Sequence, residues 1–431
     1  MKKKLLLLSL VTLFAMPAVT FAGGIVTNTN QHAAFIRNPA RDASLSIDGV
    51  YYNPAGIAFL KQGFHISLNN QTVLQQRNIE TTFPLFTYYQ GDDTKKFKGD
   101  VLAPVVPSLY AAYVADKWSV SLGFGVTGGG GKCDFDEGLP LFDALVMAGL
   151  YGRAGVTPNL YTINTSFVGK QYIFGLQLGA TYKVLPQLSL FGGVRANYDM
   201  MSYDGYLTAN LKGVGTQLVD MRLKMDQTGL SFAPVLGIDY HSGKWNLAAK
   251  YEFRNKMTVK NDTKNNTTGL TAYDDGVKSR SDIPALLTVG ASYDLLSNLR
   301  IMGGFHYYFD KDAQLAGDKQ QTLSGNTREY LVGFEARLCK WLTLSNGWQV
   351  TRYGITDDYI SELGFTNDSY SIGVGGAIHF TDDLTLNMGY FFTLYDAYTE
   401  KLANYNSTTL PGTNVYTREN QVISIGVDYH F

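Results

Sequence analysis

Only two cysteines, Cys133 and Cys339, occur in 431 residues. So small a number excludes a disulfide framework. Histidine is also scarce, and the six present lie far apart with no metal-ligand spacing. Nor is either charge in excess: 36 basic residues stand against 37 acidic ones. That balance gives no footprint for nucleic acid. Proline is sparse at 12. Past the first two dozen residues, no apolar run reaches the roughly 20 residues that a membrane helix requires. If this chain crosses a membrane, it crosses by strands.

What the chain has in plenty is glycine (45) and tyrosine (29). That mixture suits strands that bend, carry aromatic girdles and face lipid on one side. Alternation with a period of two supports this. Ile423, Ile425, Val427, Tyr429 and Phe431 share one face of the last stretch; Ser424, Gly426, Asp428 and His430 share the other. Tyr172 to Tyr182, Trp245 to Phe253, Ala285 to Leu295, Tyr370 to Phe380 and Leu384 to Phe392 repeat the pattern. We assign the apolar sets to lipid and the polar sets to a lumen. The start of the chain fits the same setting. Lys2, Lys3 and Lys4 precede an apolar run from Leu5 to Ala15 and then Thr20-Phe21-Ala22. This is the pattern of a secretory signal peptide over residues 1–22, with a mature chain from Gly23.

Short connections fall near Asp116, Pro186, Gly243, Asn298, Lys340 and Asp382. Long polar ones fall at 78–103, 128–170, 204–227, 258–282, 311–326, 354–368 and 398–418. About six short and seven long connections predict an all-β, antiparallel transmembrane barrel of about 14 strands over 63–431, with short inner turns and long outer loops. This topology puts Cys133 in an outer loop and Cys339 in an inner turn, too far apart for a bridge. The 204–227 segment reads either as an extended hairpin or as a helix. Residues 23–62 precede the first strand. Tyr51, Tyr52, Ile57 and Phe59 give this segment more apolar density than a disordered tail carries. A lumen this wide needs filling or forms a channel, so the segment is expected inside the barrel as a hatch.

That segment carries Tyr51-Tyr52-Asn53-Pro54-Ala55-Gly56-Ile57. It resembles the Asn-Pro-Ala hatch motif of FadL-type transporters of long-chain fatty acids and aromatic hydrocarbons. Signal peptide, hatch, barrel and terminal aromatic residue also resemble that family, in which a terminal Phe is read by the barrel assembly machinery. An earlier Asn38-Pro39-Ala40 repeats the triplet, but the residues that follow Asn53, Pro54 and Ala55 match better. The resemblance implies an outer-membrane channel, monomeric and surrounded by lipid and lipopolysaccharide. It would pass hydrophobic small molecules such as fatty acids without a cofactor or metal. The alternatives are a protein-interaction or secretion shuttle factor, and a general porin with no plug.

Two further segments bear on that function. Pro140 and the apolar Phe142, Leu145, Val146 and Gly149 predict a helix over Leu139–Gly149 with almost no polar face. In an outer loop such a helix suits a hydrophobic groove. Phe142, Leu145, Val146 and Leu150 are its candidate lining, and Arg153 is a candidate partner for a carboxylate. The alternative is a cap packed on other loops. The preceding Gly128–Gly131 run lacks the Lys-Ser/Thr ending of a phosphate loop. The third strand places Ser119, Ser121, Gly123 and Gly125 inward. In the resembled family a kink in this strand opens the wall sideways, which makes Gly123 and Gly125 candidates for a lateral portal; small residues making room for the hatch is the other reading. The inward charges Arg195, Lys250, Glu252, Arg254, Arg300, Glu335 and Arg337 are expected to pair with one another and with the hatch. No catalytic Ser-His pair stands out, so no enzyme is expected.

Overall fold

The computed structural model describes residues 30–431 except Leu363, and omits the side chains of Tyr89, Gln90 and Arg153. The expected signal segment, the start of the mature chain at Gly23 and the carboxylate role of Arg153 therefore lie outside the described parts. Seventeen strand segments form one sheet. They are β1 (Gly63–Thr82), β2 (Thr94–Val114), β3 (Trp118–Phe135), β4 (Tyr161–Leu185), β5 (Leu188–Leu211), β6 (Gln217–Ser242), β7 (Trp245–Glu252), β8 (Thr258–Asn266), β9 (Lys278–Arg280), β10 (Leu286–Leu296), β11 (Leu299–Tyr308), β12 (Arg328–Cys339), β13 (Leu342–Arg352), β14 (Ser369–His379), β15 (Leu384–Tyr395), β16 (Tyr398–Leu402) and β17 (Gly412–His430).

Three wall strands are interrupted. β7 and β8 both pair with β6, and β10 and β9 pair with them in turn. β15 and β16 both pair with β17. The seventeen segments thus make fourteen antiparallel wall strands. β1 bonds to β2 on one side and to β17 on the other over nearly its whole length, which closes the barrel. Closure leaves no sheet edge, the condition for a strand protein in lipid.

The alternation decides which way each strand faces. On β4, Leu176, Leu178 and Tyr182 are exposed on the outside, while Gln177 and Thr181 are buried inside. Each outward leucine gains about 1.5–3 kcal/mol when hydrocarbon covers it, so the register is pinned by the membrane. The apolar belt ends well short of the strand tops. β4, β5 and β6 run for 25, 24 and 26 residues, against the roughly 9–11 needed to span. Much of what reads as outer loop in the sequence is therefore paired strand. The 204–227 segment is a hairpin of β5 and β6. Cys133 lies buried in the upper part of β3 rather than in a loop, and Cys339 ends β12 near an inner turn; both are free. Above the belt there is no lipid face to mark alternate residues, so the strand pattern disappears from the sequence while the hydrogen bonding continues.

Residues 30–60 fill the lumen. Phe35, Ile36, Ile47, Val50, Tyr51, Tyr52 and Ile57 form one buried cluster with Tyr110, Ala112 and Val114 of β2, Phe391 of β15 and Val422 of β17. The wall is shaped to the hatch: a Cβ at Gly304 would fall 2.0 Å from Asp42 Oδ2, and one at Gly333 would fall 1.9 Å from Asn38 Oδ1. Charge fixes it further. His306 Nε2 lies 2.8 Å from Asp42 Oδ1, and its Nδ1 lies 2.7 Å from Glu329 Oε2. Arg37 and Arg41 of the hatch each reach Glu335 of the wall at 3.3 Å. Glu252 bonds both Arg195 and Lys250, and Lys250 Nζ donates to the Tyr51 carbonyl at 3.0 Å. Arg254, Arg300 and Arg337 instead meet Asp282, Asp294 and the Lys340 carbonyl.

Candidate functional site

The hatch motif grips three wall strands. Asn53 Oδ1 accepts from the Gly56 amide at 3.2 Å, closing the local turn that Asn-Pro favours. Its Nδ2 donates to Asp239 Oδ2 of β6 at 2.6 Å and to the Ser44 carbonyl at 3.0 Å. The Pro54 carbonyl accepts from Thr181 Oγ1 of β4 at 2.9 Å, and the Ala55 carbonyl from Ser189 Oγ of β5 at 2.8 Å. Asn53, Pro54 and Ala55 are thus brought together as one clamp. The first copy closes a tighter turn, with Asn38 Oδ1 accepting from the Ala40 amide two residues on at 3.1 Å. It faces the opposite wall, where Nδ2 meets Met302 Sδ.

Diagonally above the hatch the wall opens. β2 and β3 pair from Val114–Ser119 up to Leu109–Phe124, stop, and resume only at Val101–Cys133 and Asp100–Asp134. Residues 102–108 and 125–132 lack partners across this seam. Gly123 lies below the break, paired with Tyr110, and Gly125 lies at its edge. The kink or gap expected near Gly123 to Gly125 begins at Gly125 and extends upward from it. Pro104 and Pro107 have no N–H to offer the seam. Gly129 and Gly131 adopt φ of +97° and +72°, which a side chain would disfavour, as β3 bulges away along β4. On its other edge β2 bulges against β1 between the Gln71–Val106 and Val73–Ala103 pairs, where Val106 N donates to Asn70 Oδ1 at 3.1 Å and the Pro104 carbonyl accepts from Thr72 Oγ1 at 2.8 Å. From inside, Gln31 Nε2 at the start of the described hatch donates to the Val126 carbonyl at 2.6 Å.

The seam leads inward. A cavity of about 120 Å³ extends from Gln31 and Phe391 in the lumen to Val106, Val126, Gly128 and Tyr172 in the broken wall. Gln31, Pro104 and Pro107 went unread in the sequence, and the Gly128–Gly131 run was read as part of a loop and not as a break in the wall. The two prolines inside an otherwise good strand were the available signal.

A second, apolar cleft lies among the outer loops. The predicted helix is present and runs further than expected, over Pro140–Ala154. Proline opens it, and Gly155 at φ +63° ends it, with its amide bonded to the Leu150 and Tyr151 carbonyls. Phe142 and Leu145 line the cleft with Phe167, Leu207, Met221 and Tyr273; its volume is about 90 Å³. Val146 and Leu150 lie to one side, packed with Tyr161, Ala209 and Val219. Ala144 and Met147 bury into a separate cluster of loop and wall residues. The helix therefore both lines a groove and caps other loops.

Glu362, from the 354–368 loop, holds the start of this helix. Its Oε2 accepts from the Leu141 amide at 2.6 Å, and its Oε1 from Tyr405 OH at 2.7 Å and Asn406 Nδ2 at 2.9 Å. Burial pushes this carboxyl up to about 7. Within the helix, burial also raises Asp143, against the pull of Lys95 at 2.8 Å.

No family model and no curated protein sequence matches the chain. Solved structures do. A Pseudomonas aeruginosa FadL homologue superposes with a TM-score of 0.63 over 97% of this chain and 100% of its own, at 15% identity. The P. putida toluene transporter TodX gives 0.59 over 90% and 95%, at 14%. The Ralstonia pickettii toluene transporter TbuX gives 0.56 over 94% and 100%, at 12%. Strand count, closure and internal hatch thus define a transmembrane β-barrel with a plugged lumen. More particularly, the fold is that of the FadL-type channels.

Proposed function

We propose that this protein is a FadL-family channel of the bacterial outer membrane that takes up hydrophobic molecules passively, long-chain fatty acids among them. Capture occurs in the cleft beside Phe142 and Leu145. The passenger then moves into the lumen cavity above the hatch and leaves sideways into the bilayer through the seam between β2 and β3. The observation that carries this reading is the seam itself. A lipid-facing wall normally pairs every backbone group. Here the ladder stops next to a lumen cavity, and a hatch side chain occupies the inner edge of the break. The likeness of fold to the toluene transporters TodX and TbuX supports a hydrophobic passenger. The filled lumen weighs against a general porin, and the clamped Asn53-Pro54-Ala55 motif weighs against a shuttle factor.

The test is a reversible lock on the seam. With Cys133 and Cys339 replaced by serine, Val106→Cys and Gly128→Cys are joined by a short reducible cross-linker. Uptake of a fluorescent long-chain fatty acid by cells is expected to fall at least tenfold and to return on reduction. Unchanged uptake with complete cross-linking would remove the lateral route.

A further inference from the structure

On the far side of the barrel from the seam, the apolar belt ends in two arginines. On β12 the outward residues run Leu338, Ala336, Phe334, Val332 and Tyr330, and the next is Arg328. On β13 they run Leu344, Asn346, Trp348 and Val350, and the next is Arg352. The stretch from Leu338 to Tyr330 covers the roughly 9 residues with which a tilted strand spans. The arginines therefore stand where hydrocarbon gives way to head groups. They belong to the end of the barrel that carries the long loops, which is the outer end.

Arg328 and Arg352 are register partners. Residues so opposed have their Cβ atoms about 5 Å apart, and like charges there repel. The aromatic girdle nonetheless holds both in place. Arg328 Cζ lies 6.0 Å from the centre of the Tyr307 ring, and Arg352 Cζ lies 4.6 Å from that of Tyr370. Arg352 also donates to Tyr370 OH, and Asn326 Nδ2 donates to Tyr307 OH at 3.0 Å. One carboxylate serves the pair: Asp368 Oδ2 lies 3.6 Å from Arg352 Nε, while its Oδ1 accepts from the Tyr353 amide at 2.8 Å. Arg328 is exposed, and among the described residues no carboxylate lies within ion-pair distance of it. Lys132 and Lys170 make a contrast. They are opposed in register on β3 and β4, just above Tyr172. There Lys132 Nζ meets Asp134 at 2.7 Å, and Asp100 stands opposite Asp134. Acidic neighbours already balance that pair.

We infer that Arg328 and Arg352 bind a head-group phosphate of outer-leaflet lipopolysaccharide, whose acyl chains lie against the apolar outer faces of β11 to β14. Two opposed guanidinium groups that share one carboxylate are short of negative charge, and an anion between them relieves their repulsion. A guanidinium presents a planar fork of donors that matches phosphate oxygens. The pair faces away from the lumen, so its occupant belongs to the membrane and not to the channel. At the outer rim of a bacterial outer membrane, the phosphates are those of lipopolysaccharide. The site thus fixes a lipid neighbour on the fully paired side of the wall. It depends neither on the passenger nor on the exit route.

The experiment titrates deep-rough lipopolysaccharide into the full chain in neutral detergent without divalent cations. Bound copies per barrel are counted by native mass spectrometry. Arg328→Gln/Arg352→Gln is expected to weaken binding at least tenfold. Arg328→Lys/Arg352→Lys keeps the charge but not the forks, and retains part of the affinity. Lys132→Gln/Lys170→Gln is expected to bind as wild type does. Lipopolysaccharide stripped of its phosphates should bind wild type at least tenfold more weakly. Heat-modifiable gel mobility reports whether each variant is a folded barrel. If the double glutamine variant does not assemble, Arg328→Gln alone leaves Arg352 with Asp368 and should still cost threefold or more. Binding unaltered by the arginine substitutions overturns the site. An equal loss in the lysine variant also overturns it, since general charge attraction would then suffice. Equal binding of the dephosphorylated lipid would reduce the contact to the apolar belt. Phosphatidylglycerol binding as tightly, or inorganic phosphate displacing the lipid at equal concentration, would refute lipopolysaccharide as the occupant.

Discussion

At the scale of single residues, Asn53 shows how much one amide can hold. Its oxygen closes a turn within the hatch, and its nitrogen joins that turn to Asp239 on the wall and to the Ser44 carbonyl. Asn53→Ala deletes all three bonds and leaves a buried carboxylate with Asn246 Nδ2 as its remaining donor. A buried polar group stripped of a partner costs about 1–3 kcal/mol. The expected result is a barrel of normal thermal stability in which the amides of 44–58 exchange at least tenfold faster, read by hydrogen-exchange mass spectrometry. Exchange unchanged from wild type would mean that the carbonyl bonds of Pro54 and Ala55 suffice. The triplet was legible in the sequence because Asn, Pro and Ala are contiguous. Asp239 was not: alternation shows that it points inward but not which hatch atom awaits it 186 residues away.

At the scale of elements, the helix Pro140–Ala154 carries the apolar cleft, and its N-terminus depends on Glu362. Burial disfavours the charge of the Glu362 carboxyl and lifts it from its ordinary 4.5 to about 7 in the folded loops. Between about 4.5 and 7 the folded state therefore holds more protons than the unfolded one, so stability falls as pH rises through this window. Glu362→Gln keeps the acceptor for Leu141 and removes the titration. Hydrogen exchange of the helix amides is expected to quicken from pH 5 to pH 8 in wild type, beyond the intrinsic chemical trend, and to quicken less in the variant; Asp143 in the helix and Glu400 in the same network, both raised by burial, account for the pH dependence that stays. The cleft has its own test. Leu145 is buried at the groove wall, and Leu145→Asp sets an unpaired carboxylate there at a cost of several kcal/mol, or forces it neutral. Affinity for a hydrophobic ligand should drop at least tenfold in a barrel that still folds, and an unchanged affinity would move capture elsewhere. Pro140 and the apolar spacing made this helix readable. Its last turn, Tyr151 to Ala154, was not: Tyr151, Gly152 and Ala154 are exposed, so no apolar pattern marks the turn, and the helix runs on until Gly155 caps it.

At the scale of the whole molecule, the barrel was legible because lipid imposes a rule on every strand. Leu176, Leu178 and Tyr182 must face out, and Gln177 and Thr181 face in. Repeated around the wall, that rule yields the strand count and the place where the hatch ends and the wall begins. It has nothing to say about the seam. Pro104, Pro107 and the glycines from Gly128 break the ladder between β2 and β3 in or beside segments that read as outer loops, where no alternation shows that a strand is there to be broken. The same reasoning separates a plugged channel from a porin. A wall of fourteen strands encloses a lumen wide enough to conduct if nothing fills it. Residues 30–60 fill it, held by Asn53, by the His306 bridge between Asp42 and Glu329, and by Arg37 and Arg41 on Glu335. Removing that segment should convert a silent protein into an open one. In planar bilayers the intact chain is expected to give no steady conductance steps, and the form lacking 30–60 to give large, long-lived ones. The wall can survive the deletion, since its closure depends on β1 bonding to β2 and β17 and not on the hatch. Heat-modifiable mobility would verify that it does. Steady conductance through the intact chain would mean that a water-filled path already runs past the hatch, and the lumen would then have to be read as a pore rather than as a binding cavity with a side exit.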